Sequence, residues 1–287
     1  MNDETKQLSA RVLVIAGAVL LCAAVSGCLR MHTRQQVARR PARHSLQFDN
    51  LVLLSDFKIP RDHDVVGELK ELREQIVSTL RLPPQRDQVT VYLFSDEASY
   101  REYLDKTWPD LPDRRAYFVG TSRELAVYTF WGNRTLEDLR HEYTHGILHA
   151  SLNAVPLWLD EGLAEYFEVP GGEAGRINKE HAHELAASMS NGWGPDLKRL
   201  ENITDFSDLQ RLDYQESWAW VHYMLHLTPD TRDVLCDYLH ELRDHDDAGR
   251  LSEQLANLNS EFEARFQVYA GHLHSPAAVI RAQEFGL

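Results

Sequence analysis

Two histidines four residues apart enclose a glutamate in the run His141-Glu142-Tyr143-Thr144-His145. On a helix, residues i and i+4 share a face, so both imidazoles can reach one metal ion. Glu142 is turned off that axis but still reaches a water held by the ion. Glu161, a short distance downstream, would supply a third ligand. Two histidines and one carboxylate, with a fourth position left to water, make the ligand set of a hydrolytic zinc site. Zinc lowers the pKa of its water to around 7. Glu142 would take the proton from that water and pass it to the leaving amine.

HExxH alone arises often by chance. Here it is followed by Trp158-Leu159-Asp160-Glu161-Gly162-Leu163-Ala164-Glu165-Tyr166, which narrows the reading sharply. Together the two motifs resemble the gluzincin metallopeptidases, in which a glutamate on the next helix completes the zinc site. The closer likeness is to secreted or lipid-anchored bacterial proteins of the peptidase MA-like type. Those share the run from Pro156 to Tyr166 and a later one, here Tyr214 to Tyr223. The metzincin pattern does not fit, since Leu148 and Ser151 stand where it needs Gly and His.

The resemblance implies an α+β, zincin-like fold and one Zn2+ per chain, held by His141, His145 and Glu161. It also implies a Tyr or His from a later helix beside the reacting carbonyl. Tyr214 is the candidate and His222 the reserve; the alternative is that Tyr214 opens a helix and packs. In gluzincin-like folds the last strand before the active helix is a sheet edge that can pair with an extended substrate. By that likeness Ala126 and Tyr128 would hold peptide backbone; an ordinary core strand is the other reading. Glu165 follows Glu161 by one helical turn. That spacing suits a bond to the free ring nitrogen of a ligand histidine, or an exposed helix face.

The elements that must position these residues can be read from periodicity. Residues 46–134 read as a small α/β unit and 135–287 as a mainly helical one. Leu46 to Phe57 alternates as a strand. Val65, Leu69, Leu72, Ile76 and Leu80 recur at helical spacing, and Pro83-Pro84 stops that helix. Strands are expected at Val89–Phe94, Ala116–Val119 and Leu125–Trp131, with a short helix after Ser95-Asp96. Thr135-Leu136-Glu137-Asp138 starts the HExxH helix, with Leu136, Leu139, Tyr143, Gly146 and Ala150 facing inward. Pro156 suits the first turn of the next helix, and Pro170-Gly171-Gly172 its end.

The chain has 287 residues, 43% of them hydrophobic, and a formal charge of −14, which argues against nucleic acid as a partner. Val12 to Val25 is apolar and of signal-peptide length, ending in Val25-Ser26-Gly27-Cys28. That ending resembles a bacterial lipobox, with residues 1–28 as signal peptide and Cys28 lipidated. An uncleaved membrane anchor is the alternative. Residues 29–45 carry five arginines and no acid and read as a flexible tether near lipid headgroups. Cys236 is then alone in the mature domain and cannot form an internal disulfide.

Of the remaining histidines, His149 is about 12 Å along the helix from His141 and cannot easily share its ion. His181, His183, His272 and His274 stand in polar surroundings and read as surface residues. The expected protein is an exported, lipid-anchored zinc metallopeptidase acting on peptide or protein substrates. An inactive zinc-binding envelope scaffold and an amide hydrolase of cell-wall material are the rivals.

Overall fold

A computed structural model of the chain describes residues 13–15, 39–170 and 177–274. Cys28, most of the apolar run and Gly171-Gly172 lie outside them. Among the described residues no helix is long and apolar enough to cross a membrane.

The architecture is α+β: a mixed sheet followed by a mainly helical region. The sheet is built from β2 (His44–Phe48), β3 (Leu51–Ser55), β4 (Val89–Phe94), β5 (Ala116–Gly120) and β6 (Leu125–Phe130), and the short β1 (Leu13–Ile15) extends one edge. Its order is β1-β5-β6-β4-β3-β2. Strands β3, β4 and β6 run parallel, while β2 and β5 are antiparallel to their neighbours. Helices α1 (Asp64–Leu80) and α2 (Glu97–Thr107) belong to this unit. The helical region comprises α3 (Thr135–Ser151), α4 (Leu157–Glu168), α5 (Lys179–Ser190), α6 (Leu197–Leu200), α7 (Arg211–His226), α8 (Pro229–Glu241), α9 (Leu251–Leu258) and α10 (Phe262–His272).

Three sequence expectations change. The stretch Leu46–Phe57 is a hairpin, not one strand, because Asp49 adopts a left-handed turn with φ 46° between β2 and β3. Asp is among the few non-glycine residues that tolerate that conformation. The tether ends earlier than residue 45. Arg40 donates to the hydroxyls of Tyr103 and Tyr92 at 3.0 and 2.6 Å and pairs with Glu124 at 2.7 Å, so its end is stitched to the sheet. Strand β6 is not an edge. It pairs with β4 on one side and β5 on the other, so its main-chain groups at Ala126 and Tyr128 are already used. Both side chains are buried in an aromatic layer with Tyr92, Tyr103 and Tyr117. The strand that reverses direction beside α3 is β5.

Helix α3 lies across the sheet with Leu139, Tyr143 and Ile147 buried. Leu136, expected inward, is exposed at its first turn. Two glycines set the closest approaches. A Cβ on Gly146 would stand 2.7 Å from Cγ1 of Val89 on β4. A Cβ on Gly162 would stand 2.6 Å from the carbonyl oxygen of Ser217, where α4 crosses α7. A backbone oxygen cannot swing away as a side chain can. Gly162→Ala should therefore force the two helices apart and destabilise the protein by about 1–3 kcal/mol. Gly67, exposed in α1 with nothing near its missing Cβ, is the control. Gly67→Ala should be neutral or gain about 0.5–1 kcal/mol. Denaturant midpoints of the two variants check the contrast.

Candidate metal centre

The site is the seam between α3 and α4. His141 and His145 face α4 from one side of α3, and Glu161 faces back. One ligand atom from each of these three residues lies within 4.8 Å of the others. His141 Nε2 is 3.7 Å from Glu161 Oε2. His145 and Glu161 are almost wholly buried and His141 is partly so. The expected ligand trio is thus assembled on adjacent helices.

A metal ion fits what these groups lack. Both carboxylate oxygens of Glu161, Nε2 of His145 and Oε2 of Glu142 are buried without a hydrogen-bond partner. An unpaired buried carboxylate costs several kcal/mol, and burial opposes its charge. A divalent cation held between the Glu161 and His145 atoms would satisfy both residues together. Without one, burial disfavours protonated imidazoles, yet Glu161 and Glu168 outweigh it and hold His141 well above the ordinary imidazole value. His145 is raised too: burial opposes its charge, but Asp160 and Glu161 overcome it.

The carboxylates that orient the histidines differ from the one expected. His141 Nδ1 is hydrogen-bonded to Glu168 at 3.0 Å. His145 Nδ1 lies 2.9 Å from Asp160 Oδ1, close but off the line of a good hydrogen bond. The other oxygen of Asp160 bonds His149 Nε2 at 2.8 Å. Burial works against Asp160's charge, but its two histidine neighbours hold its pKa well below the usual carboxylate range. Glu165 does not bond a ligand histidine. Its carboxylate takes His181 Nε2 at 2.9 Å, because Glu168 already fills His141 Nδ1. His181 is therefore no surface residue: it is half-buried, with its ring 5.6 Å from that of Trp218. His183 and His274 are exposed as expected. Glu168 stands seven residues after Glu161, on the same helix face, and that spacing could have revealed it.

A second trio, His141, Glu165 and Glu168, also clusters within 4.8 Å. Its members are hydrogen-bonded to one another or to His181, so it lacks the orphaned atoms of the first.

The position of His141 is held by its neighbour in sequence. Arg140 is buried, and its Nε donates to the carbonyls of Phe167 and Glu168 at 2.9 and 3.0 Å. It also pairs with Glu68 of α1. One guanidinium thus caps the end of α4 and fixes Glu168 opposite His141.

Glu142 points the other way, toward β5. It lies near the Phe118 backbone, and burial raises its pKa against the pull of His141 and His145. Phe118 itself lies over His145 and His149, with ring centroids 6.1 and 5.3 Å away. Tyr214 sits in the first turn of α7, almost buried. Burial pushes its phenol up, and Glu161 and Glu165 add to the shift, so it borders the same carboxylates. His222, two turns further on, bonds the Tyr269 hydroxyl through Nδ1 at 2.6 Å and packs among Trp218, Tyr166 and His226. His222 is thus engaged with α10.

Sequence reading did not single out Arg114. It lies just before β5, partly buried, with its guanidinium 5.9 Å from the centre of the Tyr117 ring. Its Nε is buried without a partner. Its charge is felt by Tyr214, Tyr117, Glu142 and Glu161.

The chain should bind one divalent metal ion, and His145→Ala should lose it. Residues that orient a metal's histidines typically contribute about 10–100-fold in affinity. Glu168→Gln and Asp160→Asn should each weaken metal binding by that order, and Glu165→Gln by less. Competition titration against a metallochromic chelator measures all four. Equal losses for Glu165→Gln and Glu168→Gln would contradict the assignment.

A family model described as "Protein of unknown function (DUF1570)" matches residues 137–246, from the first turn of α3 to just beyond α8. No match to a curated protein is found.

Proposed function

We propose that the chain is a zinc-dependent peptidase of gluzincin type. The observation that carries this reading is the set of orphaned buried atoms on Glu161 and His145, gathered with His141 at the α3–α4 seam. Two imidazoles and a carboxylate suit Zn2+. Zinc there would acidify a water to a pKa near 7 and polarise a substrate carbonyl.

The protein's own residues do the rest. Glu168 and Asp160 hold the two ring Nδ1 atoms, leaving both Nε2 atoms turned to the seam. Glu142, with one oxygen unpartnered and its pKa raised by burial, is suited to take a proton from water and give it to the leaving amine. The Tyr214 phenol, kept protonated by its surroundings, is a donor for the oxygen on which charge builds. Peptide backbone would lie along β5, whose Phe118 ring lies over His145. The lipobox-like Val25-Ser26-Gly27-Cys28 supports export with a lipid anchor.

Glu142→Gln should retain metal and fold but lose hydrolysis, because an amide cannot accept the proton. Tyr214→Phe should lower kcat by about 10²–10³ with little change in KM, as expected for a donor used in the transition state. Steady-state peptide hydrolysis with parallel metal analysis tests both. Full turnover in metal-replete Glu142→Gln would dismiss the hydrolytic reading, and a metal site with no hydrolysis at all would favour a binding scaffold. Radiolabelled palmitate should mark the wild type and not Cys28→Ser.

A further inference from the structure

Strand β5 has one flank that is covered over three residues alone, and its geometry gives a direction. Toward β6 it is fully paired. On the other flank only Leu13–Ile15 joins it, antiparallel, with Leu13 opposite Gly120 and Ile15 opposite Phe118. A chain laid on this edge therefore runs from Gly120 toward Phe118, whose ring centroid lies 6.1 Å from that of His145. Beyond that point the edge continues through Tyr117 and Ala116, where β1 does not reach, and then meets Arg114. On the export reading Leu13–Ile15 leaves with the signal peptide, so the edge would be open in the mature chain.

Arg114 is the cation at that end. The other arginines tied into this part of the structure are paired: Arg115 with Asp138, Arg140 with Glu68, and Arg199 with Asp213 and Glu216. Arg114 forms no ion pair among the described residues, although it is half-buried and its Nε is shut off from solvent. Its placement is firm. The Tyr100 hydroxyl donates to its carbonyl at 3.0 Å, and the Tyr117 hydroxyl donates to Pro112 in the same loop. Guanidinium stays charged in proteins and offers a planar fork that matches a carboxylate. A half-buried guanidinium lacking an anion is costly, and an anionic ligand removes that cost.

We propose that Arg114 receives the free C-terminal carboxylate of the substrate, so that the enzyme trims peptides from the C-terminus instead of cutting them internally. The inference rests on the peptidase reading. A peptide running along β5 in the direction of β1 carries its C-terminal end past Glu142 to Arg114. Water adds to the scissile carbonyl, the C–N bond breaks, and the proton taken by Glu142 goes to the departing amine. The leaving product is the short C-terminal piece held at Arg114.

The test uses one N-acetylated hexapeptide made with a free C-terminal carboxylate and with a C-terminal amide. The metal-loaded mature chain, from Cys28 onward, should cleave the free acid with kcat/KM about 10- to 100-fold higher, the range of a hydrogen bond to a charged group. Mass spectrometry should show loss of one or two C-terminal residues. Arg114→Gln should raise KM for the free acid and abolish the preference, and Arg114→Lys should restore part of it. Equal cleavage of both peptides, or cuts in mid-chain, would overturn the inference and leave the peptidase reading intact. A fall in kcat for both peptides with KM unchanged would also overturn it and assign Arg114 to the oxyanion. Calorimetry in the Glu142→Gln background separates binding from hydrolysis. There the free acid should bind more tightly than the amide, and adding Arg114→Gln should erase the difference. If wild type cleaves neither peptide yet this difference is present, hydrolysis fails and the carboxylate site stands. If binding is equal, the carboxylate site is wrong whatever the wild type cleaves.

Discussion

Everything in this fold is arranged around a buried seam of charge between α3 and α4. His141, His145 and His149 line one side, and Asp160, Glu161 and Glu168 the other. Removing carboxylates from water is expensive, and each must be answered by a hydrogen bond or a cation. Asp160 and Glu168 are answered by imidazole nitrogens. Glu161 is not, and its two oxygens remain unpartnered beside His145 Nε2. The seam is therefore most comfortable with a cation in it. The same need dictates which atoms turn inward.

The surrounding packing exists to bring these helices to that separation and hold them there. Gly162 lets the backbone of α4 touch that of α7, which brings Tyr214 near Glu161. Gly146 lets α3 settle onto Val89 in the centre of the sheet. Arg140 locks the far end of α4 to α3 and α1 through two carbonyls and Glu68. A shift of one ångström at any of these contacts would move the imidazoles relative to Glu161. Positional precision on that scale is what metal and catalytic sites require.

The sheet contributes through its one reversal near the seam. Strand β5 runs against β6 and packs beside α3, with Phe118 over two imidazoles. Arg114 lies at the start of that strand, and Tyr214 approaches the same carboxylates from α7.

Much of this was legible in the sequence, for local reasons. Helical periodicity marked α1, α3 and α4, and alternation marked β4, because 3.6- and 2-residue repeats are properties of the chain itself. The i, i+4 spacing of His141 and His145, with Glu161 on the following helix, identified the ligand trio. What sequence could not decide was which neighbours compete for the same atom or edge. Glu165 and Glu168 both lie about one or two turns beyond Glu161; only the packing of α5, which brings His181 to Glu165, gives His141 to Glu168. Strand β6 precedes the active helix in sequence, yet strand order in a sheet is a long-range choice, and β4 and β5 enclose it. His222 and Tyr214 share a helix, but only the position of Tyr269 on α10 draws one of them away. Arg114 stands in an unremarkable loop and gains meaning solely from the charged seam that the fold brings beside it. Spacing along the chain determined which residues could act. The tertiary structure decided which of them meet, since pairing is settled by distance in space and burial makes every unpaired charge count.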